Sequence, residues 1–303
     1  MTVSSSTLAP APARDGEDPA RMRRRPFPRP GNSSIAIGAT ILGTITLIAL
    51  AAPWLGLADP YDSNLAIRHV PPVWGSVGSW QHPLGTDHLG RDYLSRLVYG
   101  ARISLLVGMV VTVMAGCIGT TLGVLAGYFG GRIEAAIDFV ITVRLAMPLV
   151  LIALAVVNVV GSSLEIVILV LGLLLWERFA VVARSTTQQI RSQEYVAAAR
   201  AVGCSTPRII LLEILPNIYG TLIVVATLEI AHAILLEAAL SFLGLGVPAP
   251  LPSWGLMIAE GKDVMYFSPW VITIPGAALF VLILSINLLG DGLRDLNAIE
   301  GRN

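Results

Sequence analysis

Three ionisable residues, Glu229, His232 and Glu237, fall inside one long apolar run. A charge at the centre of a bilayer costs about 2.5 to 3.5 kcal/mol on insertion scales, so such residues are candidates for the lining of a pathway. At about 100° per residue, Glu229 and His232 are neighbours on one helix face, and Glu237 lies about 80° from Glu229. The plainer reading is a hydrogen bond to a neighbouring helix. A second group, His82, Asp87, His88, Arg91 and Asp92, sits in a polar stretch ahead of another apolar run. Two histidines and a carboxylate suit a metal, with His69 the spare ligand, but without a third fixed ligand the mutual pairing of Asp87, Arg91 and Asp92 is the better reading.

Enzymatic chemistry has little to run on. Lys262, in EGKDV, is the only lysine, so the frame G-x-x-x-x-G-K-[ST] that cradles nucleotide phosphates is missing. Neither H-E-x-x-H nor G-x-S-x-G occurs. Cys117 lies in an apolar run and Cys204 in a polar loop, with no C-x-x-C, so zinc and disulfide chemistry lack support.

The elements that position these residues follow from composition. Of 303 residues 54% are hydrophobic and only 13% charged, mean hydropathy is +0.73, and soluble domains carry roughly 25% charged residues. The chain reads as an all-α integral membrane protein. A span needs about 20 apolar residues, and six runs qualify: 35–57, 103–128, 133–160, 164–182, 218–243 and 270–289. The third and fourth carry Glu134, Asp138, Arg144, Glu177 and Arg178, which must lie near ends or face protein. The domain reading is a basic, disordered tail over 1–33, a membrane body over 34–293 and a short tail over 294–303.

Arginine sets orientation. Arg21, Arg23, Arg24, Arg25 and Arg29 precede the first run, and Arg191, Arg200 and Arg208 lie in the 184–217 loop, placing that loop and both termini in the cytoplasm. Arg68, Arg91, Arg96 and Arg102 in the 58–102 loop run against the rule. A cleavable signal ending near Ala49-Leu50-Ala51 is the rival for the first run, which begins too far in and runs too long for one. The tail arginines suit anionic lipid. Zero net formal charge gives no support for nucleic-acid binding.

Residues 194–217, EYVAAARAVGCSTPRIILLEILPN, form a polar loop between apolar runs. Helix formers fill 194–201, Gly203 breaks the helix, and Ser205 or Thr206 before Pro207 marks a second helix start. Pro216 then interrupts that helix before the next run.

This loop resembles the coupling loop of binding-protein-dependent ABC importer permeases, E-A-A, three residues, G, then I-x-L-P. Ala198, Ala199, Gly203, Leu215 and Pro216 fit, and Ala197 stands where that family has glutamate. QHPLGTDHLGRDYLSRLVYGARISLLVG over 81–108, EAALSFLGLG over 237–246, PSWG over 252–255 and the last span resemble the C-type permeases of dipeptide, oligopeptide, glutathione and nickel importers. WERFAVVAR over 176–184 resembles W-x-x-Y-A-R-x-x-R, with Val181 in place of the middle arginine.

The resemblance implies a plasma-membrane permease that encloses a pathway with a second, homologous permease. Two ATPase subunits, which carry the ATP and Mg, would dock on Glu194, Ala197, Ala198, Ala199, Arg200, Gly203, Leu215 and Pro216. A solute-binding protein would dock on the 58–102 and 246–268 loops, with Asp87, Arg91, Asp92 and Trp254 as candidate contacts. No cofactor is expected on this chain, and Glu237, part of the family pattern, is expected to be structural. Peptides are the expected cargo, with nickel or glutathione as alternatives. A secondary transporter or channel is the reading from another class, and the coupling loop and the lack of an obvious inverted repeat stand against it.

Overall fold

The computed structural model describes residues 30–300, with side chains from 33 to 296. The expected N-terminal tail lies almost wholly outside the described residues. In lipid every backbone polar group must be satisfied within its own segment, so long apolar runs become helices. Eleven α-helices result among the described residues: α1 (Pro30–Ala51), α2 (Tyr93–Phe129), α3 (Gly131–Ala146), α4 (Leu149–Val160), α5 (Leu164–Leu174), α6 (Glu177–Arg191), α7 (Glu194–Ala201), α8 (Thr206–Ile209), α9 (Leu215–Phe242), α10 (Trp254–Gly261) and α11 (Trp270–Glu300). Only an isolated bridge between Thr86 and Asp92 departs from helix and loop among them.

Five helical segments are long and apolar enough to cross a bilayer: Ser33–Trp54, Tyr93–Phe129, Leu164–Arg191, Thr206–Phe242 and Trp270–Leu296. The third run, 133–160, is not one straight span. Its two halves, α3 and α4, meet at 86°. Pro148 disfavours helical backbone in the residue before it, and Met147 is extended with φ −99° and ψ 130°. Other boundaries move too. The second span starts at Tyr93 rather than 103, capped by Asp92, whose side chain accepts from Ser95 N–H. The fourth extends past 182 to Arg191, and the last runs to Glu300, so the boundary at 294 falls inside a helix. Pro216 does not interrupt its helix either. A π-helical stretch over Ile210–Ile214, with Leu215 N–H bonded to Ile210 C=O, widens the turn ahead of the proline ring.

Small residues let α2 and α6 meet closely. Gly119, Gly123 and Gly127 form a stripe on α2, and a Cβ there would run into the backbone carbonyls of Trp176, Ala180 and Arg184 on and beside α6. The charges of the third and fourth runs find partners. Arg184 bonds Asp138, Gln188 Nε2 donates to Glu134 at 2.6 Å, and Arg144 donates to the Leu174 carbonyl with Glu177 at 3.4 Å. Three apolar clusters divide the bundle. One joins α2, α4, α5 and α9, one gathers at the start of α2 with α10 and α11, and the third lies at the far end of α2 beneath α7 and α8.

Candidate functional site

At the far end of α2, the 194–217 loop is shaped by its backbone. Helix α7 ends at Ala201 with Val202 as its C-cap, and Gly203 follows at φ +88°. Gly203 N–H bonds Arg200 C=O and Cys204 N–H bonds Ala199 C=O, both at 3.0 Å. This is the Schellman pair that turns a chain out of a helix through a left-handed residue. Ser205 then takes the N-cap position of α8 in extended backbone, without a side-chain cap bond, and Pro207 follows in the first turn.

Only one face of α7 is buried. Val196 is 0% exposed and shares one buried cluster with Val124 and Tyr128 of α2, Ala183 of α6, Ile209 of α8, Ile214 of the π-helical stretch and Ile218 of α9. Arg200 lies over the Tyr128 ring at 5.0 Å, a cation–π contact to α2. Glu194, Ala197, Ala198, Gly203, Leu215 and Pro216 are exposed and Ala199 is half-buried. The loop therefore offers a free surface while Val196 keys it into three spans. Sequence reading missed Val196, although its single apolar side chain between Tyr195 and a run of alanines was the available signal.

The intramembrane charges separate into two environments. Glu229 is 1% exposed, and its carboxylate takes a bond from Arg178 Nη1 at 2.9 Å, with His232 Nδ1 at 3.5 Å. Arg178, Glu177 and Glu229 stand in the wall of a cavity of about 280 Å³, otherwise apolar with Val181, Val225 and Leu228. Glu237 does not join them. It is fully buried and accepts from Ser241 Oγ at 2.8 Å and Ser253 Oγ at 3.0 Å, tying α9 to the turn before α10. These bonds favour the structural reading of Glu237 over the pathway one. Arg178 and Glu177 had been noted only as costly charges; the need of Glu229 for a partner was the signal that pointed to Arg178.

At the other end of α2, the expected docking residues lie inside the protein. Asp87, Arg91, Asp92 and Trp254 are all buried, so their side chains do not offer a docking surface. Asp87 accepts from Leu89 N–H, Arg91 N–H, Arg91 Nε and Arg96 Nη1 at 2.5 to 3.0 Å. Arg91 Nη2 reaches Glu260 at 3.1 Å and Arg96 Nη2 lies 2.8 Å from it. Asp92 pairs with His82 at 2.9 Å, and Trp254 Nε1 donates to Leu97 C=O at 2.8 Å. Gly90, at φ +76°, makes the turn possible, because a Cβ there would strike the backbone of Asn64. Asp87, His88 and Glu260 come within 4.8 Å of one another, yet a cation would have to displace two buried guanidiniums from both carboxylates. The cluster is a salt-bridge lock between the start of α2 and α10.

Burial pushes Glu260 up to about 7, against the pull of Arg91 and His88, with Asp87 adding to the rise. Arg96 also faces it. Between the ordinary value of 4.5 and about 7 the folded chain holds a proton that the unfolded chain releases. Stability accordingly falls as pH rises through that window and levels off above it. Melting curves from pH 5 to 8 should show this fall in the native protein and a flatter profile in Glu260→Gln.

Comparison with known proteins adds the following. Residues 119–298 match the family described as "Binding-protein-dependent transport system inner membrane component". The chain is 35% identical to the dipeptide transport system permease protein DppC of Haemophilus influenzae, over 87% of this chain and 90% of that protein. It is 39% identical to DppC of Alkalihalophilus pseudofirmus and 35% identical to the oligopeptide transport system permease protein OppC of Bacillus subtilis, in both cases over 87% of this chain and 85% of the relative. Among solved structures, an inward-facing form of the MetNI methionine ABC transporter aligns with a TM-score of 0.54 at 18% identity, covering 65% of this chain and 93% of that one. At that identity the likeness speaks to fold alone.

Proposed function

The chain belongs to the family of binding-protein-dependent transport system inner membrane components, and on that premise we propose that it is the permease subunit of an ABC importer for peptides. It is a multi-pass membrane subunit whose sequence carries neither the nucleotide-binding frame nor the two hydrolase motifs. The observation that carries the reading is the 194–217 loop, which presents an exposed surface while Val196 and Arg200 connect it to the ends of three spans. A push on α7 reaches α2 through Tyr128 and reaches α6 and α9 through their packed ends. Movement of the loop can thus tilt the helices that bear the cavity.

The proposed assembly contains a second permease, two ATPases that hold ATP and Mg, and a solute-binding protein. The ATPases meet the exposed face around Glu194, Ala197, Ala198 and Gly203. Both termini lie in the cytoplasm, and the end of the bundle bearing α10 faces outward. The outward arginines that run against the positive-inside rule include Arg91 and Arg96, which carboxylates neutralise internally. With the salt-bridge residues buried, docking of the binding protein falls to the exposed parts of the loops around them, such as Trp74, Trp80, Tyr266 and Phe267. Peptide cargo is supported by the names of the relatives. Affinity isolation of the tagged chain from its own membranes should recover one further permease and ATPase subunits. The isolated chain should show no ATP hydrolysis, and hydrolysis by the chain alone would contradict the reading.

A further inference from the structure

Glu177 and Arg178 open α6 and both stand in the cavity wall. Each leaves part of its bonding capacity unused. Glu177 is 6% exposed; one oxygen lies 3.4 Å from Arg144, and Oε2 is buried with no hydrogen-bond partner. A buried carboxylate oxygen without a donor is costly, and it calls for a cationic or N–H group. Arg178 is the converse. Its side chain is 55% exposed, and among the described residues its side chain bonds Glu229 through Nη1. A guanidinium offers five N–H donors in a planar fork suited to carboxylates.

The remainder of the wall is apolar, from Leu145, Val181, Val182, Val225 and Leu228. The charged groups here, Arg144, Arg178, Glu177 and Glu229, sum to zero, two of each sign. A ligand that completes this wall carries an ammonium and a carboxylate on a partly apolar body.

We propose that Glu177 and Arg178 form a transit site for a zwitterionic cargo, with Glu177 Oε2 taking the ammonium and the free edge of Arg178 taking the carboxylate. The site rests on the peptide-importer reading above. A short peptide with free termini has this chemistry, whereas a bare metal ion lacks the carboxylate that Arg178 requires. Arg144 and Glu229 keep both residues partnered when the cargo leaves, so occupancy is brief. A conducting pathway needs binding weak enough to release.

The test uses the complete importer in proteoliposomes, with a radiolabelled dipeptide bearing free termini loaded on its binding protein and uptake measured per ATP hydrolysed. Arg178→Gln and Glu177→Gln are each expected to lower that ratio at least fivefold, and Arg178→Lys to recover part of it. Removing Arg178 also strands Glu229, so the double variant Arg178→Gln, Glu229→Gln separates the two roles. It should remain defective if Arg178 meets cargo. Recovery to native uptake would reduce Arg178 to a partner of Glu229 and overturn the site. So would native uptake by Arg178→Gln, or loss of co-purification between the two permeases in that variant, which would assign the guanidinium to the partner permease. If the native importer fails to take up peptide with ATP, the peptide reading fails instead, and the site with it.

Discussion

Gly203→Val should abolish transport while leaving a membrane-inserted, extractable protein. The residue sits at φ +88°, and a Cβ built there meets nothing within 4 Å. The penalty is therefore one of backbone and not of crowding. Left-handed backbone costs an ordinary L-residue about 1 to 2 kcal/mol, and a β-branched side chain is a genuine outlier there. The chain relieves this by rotating out of the left-handed region, which breaks the bonds from Gly203 and Cys204 back to α7. The exposed face of α7 then loses its fixed angle to α8. Uptake should fall at least tenfold with unchanged yield after detergent extraction. Asparagine tolerates left-handed backbone, so Gly203→Asn should retain most activity. Native uptake by the valine variant would remove the turn from the coupling mechanism.

Gly123→Val should fail earlier, at folding. The new side chain would press into the Ala180 carbonyl and the Ala183 side chain, and neither can retreat, because both belong to the packed face of α6. Overpacking usually costs about 1 to 3 kcal/mol, and here it forces apart two helices in contact along the whole Gly119, Gly123 and Gly127 stripe. Extracted yield should drop at least tenfold. Gly43→Val is the control, since a Cβ at Gly43 finds open space. Equal yields for the two variants would show that α2 and α6 do not pack through this stripe in the membrane.

These two glycines differ in how readily the sequence reveals them. Gly203 stands in a polar loop after helix formers, and its role as a helix stop is readable from position alone. The stripe on α2 is written just as openly, but within an apolar run glycine looks like any other small residue until the facing helix is known. The broken third span has a similar history. Pro148 was visible, yet spans often tolerate proline, and the extended backbone at Met147 is a matter of geometry.

Long-range partners were the least legible. Arg178 and Glu229 are 51 residues apart, and Arg91 and Glu260 are 169 apart. Spacing along one helix can put Glu229 beside His232, but it cannot say which residue of another helix neutralises the acid. The same gap explains the misplaced docking residues. Arg96 and Glu260 complete a buried network around Asp87 and Arg91, while Asp92 is buried against His82 and Ser95. Glu237 is expected to be structural from the family pattern, but only the fold names its partners, Ser241 and Ser253, which make it a tie between α9 and the α10 turn.

The central claim is that this chain is driven through its cytoplasmic loop by ATPase partners. The most direct test is uptake of labelled peptide into proteoliposomes holding the importer, with ATP and Mg supplied to the ATPases and the proton gradient collapsed by an uncoupler. The account predicts uptake that requires ATP, persists under the uncoupler and stops when the ATPase subunits are inactivated. Uptake by this chain alone, driven by a proton gradient in the absence of ATP, would contradict it.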